Sequence, residues 1–259
     1  MKLKFLIAVL LLIGAESSQN LFAQSEKRSF YEIKIYHLDN NEQEITVDNY
    51  LKSAFLPAIH RQGIKTVGVF KPNDTTQSRR IYVLVPYKSI KQYIEIPGKL
   101  EKDLVYNRNG KPYLDAAHNK APYKRIETIL LNAFSHMPNL QIPPFKNAPE
   151  KRVYELRSYE AATERVFKNK VQMFNEGGEV AIFNELGFNA VFYGEVILGS
   201  KMPNLMYMTS FEDKTSRDEH WKAFSSDPKW KKLAADPSFK NNVSKIETFF
   251  LHPTDYSDI

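Results

Sequence analysis

The sequence predicts an α+β protein: two tandem ferredoxin-like βαββαβ repeats whose antiparallel sheets close an α+β barrel. Two observations carry that prediction. First, Tyr31-Glu32-Ile33-Lys34-Ile35-Tyr36 returns 123 positions later as Tyr154-Glu155-Leu156-Arg157-Ser158-Tyr159, and similarity at a fixed offset bears on architecture before any single element does. Three more anchors repeat in the same order: Gly63 with Gly187, Tyr82 with Tyr207, and Lys124-Arg125-Ile126-Glu127-Thr128-Ile129 with Ser244-Lys245-Ile246-Glu247-Thr248-Phe249. Second, each unit reads strand, helix, strand, strand, helix, strand.

Taken in order, Phe30 to His37 alternates with period two, with Tyr31, Ile33, Ile35 and His37 on one face and Phe30, Glu32, Lys34 and Tyr36 on the other. After the turn-like Asp39-Asn40-Asn41, apolar Tyr50, Leu51, Ala54, Phe55 and Ile59 recur at helical spacing, and Gly63 suits the C-terminal cap. Strands are expected at 64–71 and 80–87, separated by Pro72-Asn73-Asp74. Ser89 caps a second helix that Pro97-Gly98 should break, Asn107-Arg108-Asn109-Gly110 reads as loop, and a fourth strand spans 124–131. Four prolines between Ser135 and Pro149 mark a semi-rigid linker.

The second unit repeats the order. Strand 153–159 is followed by a helix from Thr163 to Leu186, irregular at Gly177-Gly178, then strands 188–197 and 205–211. Ser216-Arg217-Asp218-Glu219 reads as a capping box opening a helix that carries His220, Trp221 and Phe224. Asp227-Pro228 starts another helix, with Trp230 and Leu233, before a closing strand at 244–251. The expected organisation is therefore a leader at 1–23, repeats at 24–134 and 151–252 joined by a linker at 135–150, and a tail at 253–259.

Lys2 and Lys4, the apolar run Phe5 to Ile13 and the segment ending Leu21-Phe22-Ala23 have the order of a secretory signal cleaved near Ala23. The run is too short for a permanent span, and without cysteine a lipid anchor at the cut has no attachment point. The expectation is an exported chain, periplasmic or secreted, with no stable membrane anchor. The absence of Cys also leaves stability to the core alone. The net charge of +6 lacks a dense Lys/Arg block, which argues against nucleic acid.

Antiparallel pairing of the first and fourth strands of each repeat would set Glu155 and Arg157 beside Lys245 and Glu247, and Glu32 and Lys34 beside Arg125 and Glu127. These positions support either a cross-strand ion network or a polar ligand held inside the barrel, Arg157 and Lys34 meeting an anionic group. Glu32, Lys34, Tyr36, Glu155, Arg157, Tyr159, His220 and Trp221 are accordingly the candidate ligand-binding residues. His220 and Trp221 read equally as pocket wall or as the edge of a packing stripe with Phe224, Trp230 and Leu233. His37 and His60 carry similar alternatives. The six His show no metal spacing, so no metal or cofactor is expected, and no Gly-x-Ser-x-Gly elbow, phosphate loop or dinucleotide fingerprint is present.

The stretch Val153 to Tyr159, the turn Leu186-Gly187-Phe188 and Trp221-Lys222-Ala223-Phe224-Ser225-Ser226-Asp227-Pro228-Lys229-Trp230 together resemble the NIPSNAP family of the dimeric α+β barrel superfamily. The resemblance covers residues 151 to 252; the first repeat is less similar, because Trp221, Asp227-Pro228 and Trp230 have no counterparts around Tyr93 to Asp103. It implies the barrel fold and a ligand site but transfers no catalytic residue. Superfamily relatives include cofactor-free monooxygenases and haem-binding enzymes, an analogy of fold. Three readings follow: a protein binding a small organic ligand in the barrel, a cofactor-independent monooxygenase or isomerase using the same cavity, or a structural interaction module. Association into a homo-oligomer is left open.

Overall fold

The computed structural model describes residues 27–74 and 79–259; the expected leader lies outside them. Eight antiparallel strands close a barrel in the order β1-β3-β2-β8-β5-β7-β6-β4. They are β1 (Phe30–His37), β2 (Gly68–Pro72), β3 (Arg80–Tyr87), β4 (Arg125–Ala133), β5 (Val153–Glu160), β6 (Phe192–Leu198), β7 (Asn204–Phe211) and β8 (Lys245–Pro253). Each half is a ferredoxin-like sheet, with β1 between β3 and β4 and β5 between β7 and β8 over seven or eight residue pairs. The seams between halves are narrower. At β2–β8 only Phe70, Lys71 and Pro72 pair with Pro253, His252 and Leu251, and β4–β6 carries four pairs with a bulge at Leu130/Leu131.

The helices lie outside the barrel. In the first half, Asn40 caps α1 (Asn41–Tyr50), a π-helical turn spans Leu51–Phe55, and α2 (Leu56–Arg61) runs to Gly63, whose φ of +85° suits a residue without Cβ. Ser89 accepts from the Gln92 amide and caps α3 (Ile90–Glu101), and Asp103 accepts from the amides of Val105 and Tyr106 to cap α4 (Leu104–Leu114). Two expectations are corrected here. Pro97 does not end its helix, because Ile96 and Leu100 are buried against the sheet and hold the last turn in place. The Asn107–Gly110 stretch is helix rather than loop: Asp103 satisfies the first amides, buried Tyr106 anchors the turn, and Gly110 lets the helix approach Ala54. Packing overrides propensity in both cases.

In the second half, α5 (Glu164–Phe174) and α6 (Glu179–Glu185) are separated at Gly177-Gly178, where Gly178 takes φ +89°. Asp213, not Ser216, caps α7 (Lys214–Ser226), accepting from the Ser216 amide, so the expected capping box begins three residues too late. Asp227 caps α8 (Pro228–Ala235) through the Trp230 amide. Strand β2 starts at Gly68 rather than Ile64, and β6 at Phe192 rather than Phe188.

Three side-chain clusters follow the strand pleat. Tyr31, Ile33, Ile35, Leu84, Tyr154, Leu156, Met206 and Met208 point inward and fill the barrel. Tyr31 meets Phe192 at 5.2 Å between ring centroids and Phe70 meets Tyr154 at 4.9 Å, joining the halves. The alternate residues point outward: Tyr36, Val83 and Val85 beneath α1 to α4, and Tyr159, Tyr193 and Tyr207 beneath α5 to α8. Burying each large apolar side chain contributes roughly 1.5–3 kcal/mol, so the two outer cores and the barrel core hold the fold without disulfides.

This pleat bears on three expectations. Among the described residues, inward-pointing side chains fill most of the barrel, and the space that reaches its interior at one end, past Arg80, Glu127, Lys201 and Glu247 to Ile35, Tyr82, Leu156 and Met206, is about 40 Å³. Tyr82 and Tyr207 are not equivalent, because Lys34 faces Val83 and Arg157 faces Tyr207, so Tyr82 corresponds to Met206 and points inward. The cross-strand ion network is also absent: Glu155 lies opposite Phe250 and Arg157 opposite Thr248, while Glu32 faces Leu130 and Lys34 faces Thr128. A shift of three residues in register separates the expected partners.

Residues 254–259 continue the wall beyond β8. The amides of Thr254 and Asp258 donate to the carbonyls of Val69 and Val67, while Ser257 Oγ and Asp258 Oδ2 accept from the Val69 and Val67 amides. Ile259 is buried with the barrel core.

Candidate functional site

The charged pairs that repeat in β1 and β5 lie on the outer face of the wall, under the helices, and the two halves treat them differently. In the second half, Glu155 is fully buried. Its Oε2 accepts from Arg217 Nε at 2.7 Å and from the Trp221 indole at 2.8 Å; its Oε1 accepts from Arg217 Nη2 at 3.0 Å and Arg157 Nη1 at 3.1 Å. Arg157 also stacks on Trp221, 4.4 Å from the ring centroid. A carboxylate has about four lone-pair sites, and all four are used.

Close by, Tyr159 and Tyr207 hydroxyls meet at 2.9 Å, and Lys170 reaches Glu179 at 2.7 Å with both side chains buried. Burial pushes the Tyr159 hydroxyl up to about 12 against the opposing pull of Arg157. Burial likewise holds the Glu179 carboxyl above its ordinary range, though Lys170 works against it.

In the first half the equivalent ground opens. A cavity of about 680 Å³ lies between the outer face of β1 and β3 and the helices α3 and α4. Glu32 and Lys34 stand on its sheet side; Tyr50, Phe55, Tyr87, Tyr93 and Tyr106 line it, and Ile94 and Leu114 border it. Glu32 is almost wholly buried, accepts from the Tyr87 hydroxyl at 2.8 Å and has the Lys34 ammonium at 3.6 Å. Lys34 in turn sits 5.3 Å from the centroid of Phe55, presented by the π-helical turn. Burial, then the Glu32 charge, raises the Tyr87 and Tyr93 hydroxyls above the ordinary tyrosine value.

Residue identity explains the difference. Tyr87 opposite Phe30 matches Phe211 opposite Val153, and the caps Ser89 and Asp213 match, so the halves align here without insertion. Tyr93 therefore takes the place of Arg217, Pro97 that of Trp221 and Leu100 that of Phe224. The indole that closes the second half over Glu155 becomes a proline ring, and the guanidinium becomes a phenol. The absence of a Trp221 counterpart was legible in the sequence; that it leaves a cavity required the register.

Of the other sequence candidates, Tyr36 does not line the cavity and packs edge-on against Tyr113 and Tyr123. His220 is separated from Glu155: its Nδ1–H donates to the Ser216 carbonyl at 2.7 Å, and its ring stands against Phe188 and Phe211. His37 and His60 pair with Glu127 and Asp258 at 3.4 and 2.8 Å, outside the cavity. The structure thus joins Glu155, Arg157 and Trp221 in one cluster and Glu32 with Lys34 in another. Sequence reasoning missed Arg217, Tyr87 and Tyr93, whose signal lies in the strand register that aligns the halves, and the Lys170–Glu179 pair, which joins α5 to α6. Among the described residues no group of His, Cys, Asp and Glu could hold a metal ion.

No protein with a curated description matches the chain. The structure is similar to a proposed monooxygenase from Fusobacterium nucleatum, with TM-score 0.56 and 8% identity over 88% of this chain and 93% of that one. It is similar to another from Lactobacillus acidophilus, with TM-score 0.57 and 10% identity over 87% and 94%. A NIPSNAP family protein from Agrobacterium tumefaciens matches at 22% identity over 41% of this chain and 96% of that one, with TM-score 0.36. The first two likenesses accord with the α+β barrel, and residues 154–258, from β5 to the C-terminal segment, match the model of the NIPSNAP family.

Proposed function

We propose that the protein binds a small organic ligand in the first-half cavity, on the outer wall of the barrel. One observation supports this reading above all: where the second half closes over its buried carboxylate with Trp221, the first half carries Pro97 and leaves about 680 Å³ ending on Glu32. That volume falls among ligand pockets, which are mostly apolar with a few convergent polar groups. The test is native mass spectrometry of the chain purified from its own host, then denaturation to release what it carries. A reproducible small molecule, lost in Pro97→Trp, is the expected result. A molecule retained by Pro97→Trp refutes the site, and a chain that carries nothing favours a structural module.

A second reading, cofactor-independent oxygenation or isomerisation in the same cavity, draws on the Tyr87–Glu32 hydrogen bond. It sets a proton acceptor beside a phenol at the closed end, on a fold shared with proposed monooxygenases. Glu32→Gln would then abolish turnover of the bound molecule; a released ligand that is never converted leaves only binding.

We also propose export. Lys2, Lys4 and the Phe5–Ile13 run support it, and among the described residues no helix is long and apolar enough to cross a membrane. The intact mass of the mature protein tests it, the expected chain beginning near Gln24.

A further inference from the structure

We infer that the first-half cavity takes an organic cation bearing a guanidinium, amidinium or ammonium group. The inference rests on the ligand-binding reading and names its chemistry. The second half shows what the buried carboxylate of this repeat requires when the protein itself completes the site. Glu155 receives three hydrogen bonds from two guanidinium groups and a fourth from an indole. Glu32 occupies the same strand position with one cation and one hydroxyl, because Tyr93 replaces Arg217 and Pro97 replaces Trp221. Among the described residues, its Oε1 has only the Lys34 ammonium, at 3.6 Å, beyond good hydrogen-bond length.

Two further observations favour a cation. Glu32, Glu101 and Asp115 line the cavity against Lys34 and Lys111, an excess of one negative charge. Tyr50, Phe55, Tyr87, Tyr93 and Tyr106 line the cavity with aromatic rings, Phe55 already holding the Lys34 ammonium over its face, and aromatic faces attract cations through their quadrupoles. A planar group behind the cation would fill the volume that the Trp221 indole fills in the other half. An aryl amidine therefore reproduces Arg217 and Trp221 together, its N–H groups donating to Glu32.

Benzamidine, benzamide and benzoate share shape and differ in charge, and serve as probes in titration calorimetry and saturation-transfer NMR. Benzamidine should bind about tenfold or more tighter than benzamide, with benzoate weakest, since a charge-assisted pair to a buried carboxylate outweighs a neutral one. Tyr93→Arg supplies the guanidinium internally; it should keep the fold and abolish benzamidine binding. Glu32→Gln should erase the preference for benzamidine. A preference for benzoate that Lys34→Met removes overturns the cationic assignment while leaving the ligand site standing. Equal affinity for all three, or no binding of any at millimolar concentration, also overturns it. Binding untouched by Pro97→Trp refutes the site itself.

Discussion

Replacing Lys170 with Met should destabilise the protein by about 3–5 kcal/mol, the cost of leaving one member of a buried ion pair alone. The pair is secluded: the two side chains are 6% and 3% exposed, and the ammonium lies 2.7 Å from Glu179 Oε2 and 4.6 Å from the centroid of Phe174. Met fills the lysine stem, so the loss is electrostatic. At about 2–4 °C per kcal/mol for a chain of this size, the melting temperature falls by about 6–20 °C. Burial raises the Glu179 carboxyl, opposed by Lys170 and Arg157, and without Lys170 it rises further. A carboxyl raised on folding favours the native state below its unfolded value and loses that contribution as pH climbs through the folded one. The defect of K170M therefore grows as pH climbs from the carboxyl's unfolded value through its raised folded one. Lys170→Met with Glu179→Met, an apolar replacement of both charges, should recover most of the loss. Urea unfolding at several pH values measures all three variants. A loss under about 1 kcal/mol, a defect independent of pH, or a double variant no more stable than the single would refute the reasoning.

Trp221→Phe removes one of four donors to Glu155 and should cost about 1–3 kcal/mol in urea unfolding. Tyr87→Phe takes the hydroxyl from Glu32, where solvent from the cavity can replace it, so its cost should stay near 1 kcal/mol; a larger loss there than in Trp221→Phe would contradict the difference drawn between the halves. Gly63→Ala and Gly187→Ala should each cost about 1 kcal/mol through the positive φ alone, since the added Cβ meets no atom within 4 Å at Gly63 and only the His220 ring, at 3.4 Å, at Gly187. Asp258→Ala orphans the Val67 amide and frees His60, with an expected loss of about 1–3 kcal/mol.

Strand alternation made the duplicated architecture readable from sequence, because a side-chain period of two survives any detail of packing. It did not say which face turns inward. Glu32 and Lys34 looked suited to a polar lumen, but the barrel has no open lumen: Tyr31 and Ile33 meet residues of the other half there, and a charge would have neither partner nor water. Three of the four hydrogen bonds to Glu155, those from Arg217 and Trp221, come from a helix more than 60 residues away, at a distance no local pattern spans. The helix at Leu104–Leu114 was hidden for the opposite reason. Its Asn-Arg-Asn-Gly centre has weak propensity, and it forms because Asp103 caps it and Tyr106 and Gly110 pack against the preceding helices.

Carrying both halves of the barrel on one chain frees each from the other's compromises. In a symmetric assembly of identical subunits, exchanging Trp221 for a proline would open two cavities at once and take a donor from both buried carboxylates. Here the same exchange is made once. One half keeps its arginines and indole as a sealed buttress, joined to its neighbour through the narrow β2–β8 and β4–β6 seams. The other can drift in pocket shape, rim and charge while that buttress carries the stability, so selection on the ligand and selection on the fold act on different residues of a single molecule.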